Sequence, residues 1–197
     1  MSRYKDILSE VIVTCFYIGK IKFAPGTWGS LFAFPIIYTI NYIIVKGAFL
    51  LPIEGFSYVE QRFITIFVAL FAAIAILLIV GVRASNYYMQ KNQIHDPSEI
   101  VIDEVVGQML TSGLTMLSIV FVYNSELGKI YNSGVIDFVC FFLLPFGLFR
   151  ACDIIKPWPI NWIDKNIKGG FGVMIDDIAA AFMASVLQYA IIFTLIR

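Results

Sequence analysis

Two adjacent acidic pairs, Asp103-Glu104 in IVIDEVVGQML and Asp176-Asp177 in GGFGVMIDDIAAAF, sit at the mouths of apolar helices. An ionised carboxylate at membrane depth costs several kcal/mol unless something compensates it. Four of them on segments that otherwise look lipid-facing point to a bound cation. A hard cation such as Mg²⁺ suits all-oxygen ligation. Asp96 and Asp153 complete the candidate metal set of Asp96, Asp103, Glu104, Asp153, Asp176 and Asp177.

Helical spacing separates these residues. Glu99 and Asp103 are four apart and share a face. Glu104 turns about 100° away and shares its face with Gln108. A regular helix therefore does not let Asp103 and Glu104 chelate one ion symmetrically; one binds metal while the other positions water or a basic partner. The competing reading is two acidic residues stabilising a helix N-terminus. That reading is weaker if the helix begins near Asp96, which would put the pair nearly two turns in. Asp96-Pro97-Ser98-Glu99 has the form of such a start, with Asp96 as cap and Glu99 at the capping-box position. Gly169, Gly170 and Gly172 precede the second pair. They allow backbone to approach a ligand closely, or form an ordinary loop.

The basic residues suggest an anion. Arg150 and Asp153, three apart, make either a plain salt bridge or a unit with Asp153 beside the metal and Arg150 gripping phosphate bidentately. Lys156 precedes the stiff turn Pro157-Trp158-Pro159; it holds phosphate or marks the interface. Trp158 and Trp162 read most simply as interfacial anchors. In APGTWGS, residues 24–30, the backbone and hydroxyls of Gly26, Thr27 and Ser30 lead into a helix and favour an anion, with Lys22 nearby. His95-Asp96 could supply an acid/base or a metal ligand. The candidate catalytic residues are thus Asp103, Glu104, Asp153, Asp176, Asp177 and His95, and the candidate phosphate binders are Lys22, Gly26, Thr27, Ser30, Arg150 and Lys156. The inventory suits phosphoryl chemistry on a lipid head group, most simply by a metal-activated water attacking phosphorus.

Composition narrows the alternatives. The chain has 197 residues, 59% hydrophobic and 14% charged, with mean hydropathy +0.83. A soluble domain of this length carries about 25% charged residues. Net charge is zero, so there is no basic field for nucleic acid. His95 is the only histidine, which excludes a multi-histidine site. Cys15, Cys140 and Cys152 lie in apolar surroundings without CxxC, zinc or Cys-x5-Arg spacing and read as inert packing residues. The polar N-terminus shows no cleavable signal pattern.

The expected architecture is all-α: a polytopic membrane helical bundle in one domain, 1–197, with about five membrane helices and an N-terminal amphipathic helix. The amphipathic helix covers 3–18 and lies in the interface. The spans cover roughly 31–51, 63–82, 100–123, 135–151 and 173–196, with 19–30, 83–98 and 153–172 as loops. Arg3, Lys5, Lys20, Lys22, Arg83, Lys91, Arg150, Lys156, Lys165 and Lys168 fall on one side; Lys46, Arg62, Lys129 and Arg197 fall on the other. The positive-inside rule makes the first side cytoplasmic and gives N-in, C-out topology. The unusual polar loops then converge on the cytoplasmic face.

APGTWGS, HDPSEIVIDEVVGQ (95–108) and FRACDIIKPWPINWIDKNIKGGFGVMIDD (149–177) closely resemble the motifs of the phosphatidylglycerophosphatase A family, in the family's order and over nearly the whole chain. The resemblance implies an all-helical, Mg²⁺-dependent phosphatase of the bacterial cytoplasmic (inner) membrane, acting on phosphatidylglycerophosphate to give phosphatidylglycerol. It carries over to Asp96, Asp103, Glu104, Asp153, Asp164, Asp176, Asp177, Arg150 and Lys156. A homo-oligomer is compatible with it. Where the family often has Ala-Gly, this chain has Ala180-Ala181, a difference of helix packing rather than chemistry. The rivals are a phosphatase of another lipid phosphate, a CDP-alcohol phosphotransferase and a small cation transporter. The second would need a longer DxxDGxxAR pattern, and the third often shows an internal repeat; neither is seen.

Overall fold

A computed structural model describes residues 2–47, 50–95, 97–123 and 138–196. The described residues form seven α-helices and no strand: α1 (Ser2–Val13), α2 (Pro25–Gly47), α3 (Tyr58–Asn92), α4 (Ile102–Tyr123), α5 (Leu144–Ile155), α6 (Ile160–Asn166) and α7 (Gly169–Ile196). A π-helical turn, Val139–Leu143, leads into α5. Among the described residues, three helices are long and apolar enough to cross a membrane: Pro25–Gly47, Tyr58–Asn92 and Gly169–Thr194. Large apolar side chains point outward from them, among them Ile76, Ile79, Phe182 and Val186, as a lipid-facing surface requires.

α4 and α7 pack along each other at the centre, with α2, α3 and α5 around them. Val105, Val106, Met109, Phe149 and Met174 are wholly buried there. Ala180 and Ala181 are also wholly buried, so the small residues at the altered family position serve close helix packing. Polar side chains are buried in the same seam. Thr115 Oγ1 donates to Gln188 Oε1 at 2.9 Å, and Gln188 Nε2 donates to the Cys140 carbonyl at 3.1 Å.

Several boundaries differ from the sequence reading, each for a local reason. α1 stops at Val13 instead of 18, because Cys15, Phe16 and Tyr17 all adopt left-handed backbone angles. The turn brings the Val13 carbonyl to the Val101 N–H at 2.9 Å, which ties α1 to the residue before α4. α2 begins at Pro25, so APGTWGS is a helix start rather than a loop. α3 runs on through much of the polar 83–98 stretch. It starts on a reciprocal Ser57/Glu60 capping box and ends at Gln93, in left-handed conformation.

The third span, expected over roughly 100–123, is α4, but its helix does not start at Pro97. Residues 97–101 are non-helical and α4 starts at Ile102. Glu99 is therefore not a capping-box residue; it accepts a short hydrogen bond from the Tyr88 hydroxyl. Asp103 and Glu104 lie in the first turn of α4, not two turns in. The opposite correction applies to Asp176 and Asp177. Because α7 starts at Gly169, they sit about two turns inside the helix. Asp96 and the link holding Glu126 and Lys129 lie outside the described residues.

Candidate active site

Three elements deliver the acidic groups. The first turn of α4 presents Asp103 and Glu104, and the third turn of α7 presents Asp177. One carboxylate oxygen from each lies within 4.8 Å of the others. Asp177 is 3% exposed. The close crossing of α4 and α7 that makes this cluster depends on Gly107. A Cβ there would stand 2.6 Å from the Phe149 ring and 3.1 Å from the Asp177 carbonyl.

Opposite the cluster, α5 presents Arg150 and Asp153. Arg150 Nη1 donates to Asp153 Oδ2 at 2.5 Å and to Ser30 Oγ at 3.4 Å, and it lies 4.0 Å from Glu104 Oε1. Ser30 in turn donates to the Gly26 carbonyl at 2.9 Å. The first turns of α2 thus buttress the guanidinium, and the absent side chain of Gly26 leaves room for Glu104.

A second basic group serves Asp176. Lys156 takes a left-handed backbone conformation at the end of α5, where its N–H caps the Cys152 carbonyl. Its ammonium donates to Asp164 at 2.8 Å and to the buried Asp176 at 2.7 Å. Burial alone would lower its pKa. The hydrogen bonds and charges of the Asp164 and Asp176 carboxylates outweigh that and hold it above the ordinary lysine value.

Several polar atoms in this site are buried with no hydrogen-bond partner: Asp103 Oδ1, Glu104 Oε2, Asp176 Oδ1, Asp177 Oδ2, Arg150 Nε and Gln108 Oε1. Folded proteins rarely leave such atoms unpaired. Orphaned carboxylate oxygens from converging acids are what a hard cation would satisfy, so the donor set fits a divalent ion held by oxygen.

The two acidic pairs are organised differently. Asp103 and Glu104 both reach the cluster, although they are neighbours on one helix. Asp176 and Asp177 diverge, one to Lys156 and one to the cluster. Lys22 is exposed and Thr27 half-buried, in the turn before α2 and its first turn. His95 is exposed and lines a separate cleft with Asp164, Lys168 and Gly169. Gly170 faces protein rather than ligand: a Cβ on it would meet the Val82 carbonyl at 2.4 Å, and its N–H donates to Asn86 Oδ1 at 2.6 Å. Burial and then the charge of Glu104 push the Cys15 thiol up to about 12, which removes it as a nucleophile.

Sequence reasoning passed over Gly107 and Gln108 as site elements. Gln108, wholly buried one turn below Glu104, donates to Ser112 at 3.3 Å. A small residue and an amide directly after an acidic pair in an apolar helix were the available signals.

The family model for phosphatidylglycerophosphatase A matches residues 11–192. The chain belongs to the phosphatidylglycerophosphatase A family. It is therefore an enzyme, a phosphatase. A Haemophilus influenzae protein named phosphatidylglycerophosphatase A is 31% identical over 186 residues, covering 92% of this chain and 87% of that protein. An Escherichia coli K12 protein of the same name is 26% identical over 200 residues, covering 97% and 92%. A Bacteroides thetaiotaomicron protein named "Putative phosphatidylinositol-3-phosphatase" is 29% identical over 182 residues, covering 92% of each. No solved structure matches the chain. Family membership and the three apolar helices place it with membrane-associated enzymes of phospholipid metabolism.

Proposed function

We propose that this enzyme hydrolyses the terminal phosphomonoester of phosphatidylglycerophosphate, giving phosphatidylglycerol and inorganic phosphate. The observation that carries the reading is the convergence of Asp103, Glu104 and Asp177, with orphaned oxygens, beside the Arg150 guanidinium. Family membership supplies the substrate class.

Asp103, Glu104 and Asp177 would hold Mg²⁺, with Asp153 and Asp176 close by. When bound, the ion offsets phosphate charge and lowers the pKa of a water that serves as nucleophile. Arg150 has donors beyond those used on Asp153 and Ser30, and the buried Nε–H is free to grip a phosphate oxygen. Ser30 and Gly26 keep that guanidinium in place. Lys156 fixes Asp176 and Asp164 in place by hydrogen bonds. Burial of Asp176 and Asp177 strengthens the interactions they make.

The wider arrangement follows the same reading. About five spans run N-in to C-out across the bacterial inner membrane, and the site opens to the cytoplasmic face where basic residues concentrate. The matching Bacteroides protein favours one second reading, a phosphomonoester on another lipid head group. Both readings use the same carboxylates.

The test is phosphate release from phosphatidylglycerophosphate by the purified enzyme, with and without Mg²⁺, beside a phosphoinositide monoester. Asp103→Asn, Glu104→Gln, Asp176→Asn and Asp177→Asn are each expected to abolish release while leaving the protein folded. Wild-type turnover in all four would sink the metal-site reading. Turnover unaffected by a chelator would sink Mg²⁺ dependence, and preference for the phosphoinositide would replace the substrate.

A further inference from the structure

A cleft lies apart from the carboxylate cluster. Two adjoining hollows, of about 440 Å³ and 410 Å³, share Met89, His95, Lys168 and Gly169 and form one cleft between the end of α3 and the start of α7. Gln90 and Gln93 line one part, and Asp164 lines the other.

Asp164 links this cleft to the chemistry. Its carboxylate belongs to the cleft wall and also accepts from Lys156, which holds Asp176. A group in the cleft is therefore two side chains away from the acid next to Asp177. Asp164 shares the Lys156 ammonium with Asp176, so its charge is only partly offset. Lys168 is different. Its ammonium donates to the Asp164 carbonyl at 3.0 Å and has no carboxylate partner among the described residues. An ammonium has three donors, so two remain for a ligand. His95, Gln90 and Gln93 add ring or amide donors. The start of α7 is not the attraction, because the Gly170 N–H is already taken by Asn86.

We infer that this cleft is a second phosphate-binding subsite, with Lys168 as its cation and His95 beside it. The inference rests on the proposed function, in which the substrate carries two phosphates: a terminal monoester and the internal diester. Arg150 is the guanidinium set beside the carboxylates for the first. The cleft provides donors for another phosphate group, either the diester of the bound lipid or the inorganic phosphate on its way out.

Lys168→Ala and, separately, His95→Ala are assayed as full-length enzyme in mixed micelles. The readouts are KM and kcat for phosphatidylglycerophosphate and the inhibition constants of phosphatidylglycerol and of inorganic phosphate. Losing a charged hydrogen bond is expected to raise the relevant constants about tenfold. A rise in KM together with the phosphatidylglycerol constant identifies the diester; a rise in the inorganic phosphate constant alone identifies the leaving product. Either supports the subsite. Constants within twofold of wild type for both lipid and phosphate overturn it. Should Lys168→Ala fail to fold, the exposed His95→Ala decides the matter by the same constants. Wild-type enzyme that releases no phosphate from this lipid refutes the proposed function instead. Calorimetric titration with phosphatidylglycerol micelles and with phosphate then still reads the cleft: weakened binding of either in the variants upholds it, and unchanged binding of both overturns it.

Discussion

Gly26 abuts Glu104 so closely that a Cβ on it would lie 2.1 Å from Glu104 Oε1 and 3.1 Å from Arg150 Nη2. The first turn of α2 therefore sets where the acid of α4 and the guanidinium of α5 can stand.

Gly26→Ala tests that relationship. Both clashing atoms are ends of flexible side chains, so the helices can stay in place while the side chains move. Thermal unfolding should shift little, and kcat should fall about a hundredfold, the usual cost of displacing groups by about an ångström. Steady-state phosphate release with a melting curve checks both halves. Full activity would show that Glu104 and Arg150 have room to spare.

Asp177→Asn separates stability from activity. Three acids within 4.8 Å repel one another when no cation is bound. The variant should melt higher than wild type in chelator and lose at least about a hundredfold in turnover. Mg²⁺ at a hundred times its Kd should stabilise wild type by about 2.7 kcal/mol, a rise of about 2–4 °C per kcal/mol, and the variant much less. Differential scanning fluorimetry in detergent reads this directly.

Lys156→Ala strands a buried Asp176 and a half-exposed Asp164. The expected cost is about 2 kcal/mol, between the values for exposed and fully buried pairs. Adding Asp176→Asn should recover part of it, and a double-mutant cycle on denaturation free energies measures the coupling. Since the folded pKa of Lys156 is raised, its contribution is complete below the ordinary lysine value and is lost only as pH climbs through the raised one. A pH–rate profile should show no Lys156 limb below about pH 10.

The hold of α1 on the bundle should weaken in acid. Asp6 accepts from the Tyr87 hydroxyl at 2.7 Å and pairs with Lys91 at 3.0 Å; these two, Tyr87 first, lower its pKa. A lowered acid contributes fully above its unfolded value of 3.8 and stops contributing as pH falls through the folded one. Protection of the α1 amides, relative to intrinsic exchange rates, should therefore fall below about pH 4 in wild type, and Asp6→Asn should show the lower protection already at neutral pH. Equal exchange in both proteins at pH 7 would rule the contact out as an anchor.

Much of the fold was legible as composition and period. Apolar runs marked the helices, and the acidic pairs stood out because carboxylates are rare in such runs. The boundaries misled wherever a local rule was overridden. Asp96-Pro97-Ser98-Glu99 has the chemistry of a helix start, yet the Val13 carbonyl captures the Val101 N–H and α4 begins only at Ile102. Polar residues at 83–92 read as a loop, yet they stay helical, and Tyr87, Tyr88 and Lys91 find partners on α1 and residue 99. Gly170 reads as room for a ligand and is instead room for α3.

Residue types and order were enough to establish a helical membrane enzyme with paired carboxylates, basic partners and a family. They could not say which acid meets which base. That choice depends on how helices far apart in the chain cross: Gly107 lets α7 bring Asp177 to Asp103 and Glu104, Gly26 leaves space for Glu104 beside Arg150, and the left-handed turn at Lys156 carries its ammonium to Asp176. Spacing along one helix fixes angles only within that helix, whereas a carboxylate cluster assembled from two of them is set by packing between surfaces that no single segment contains.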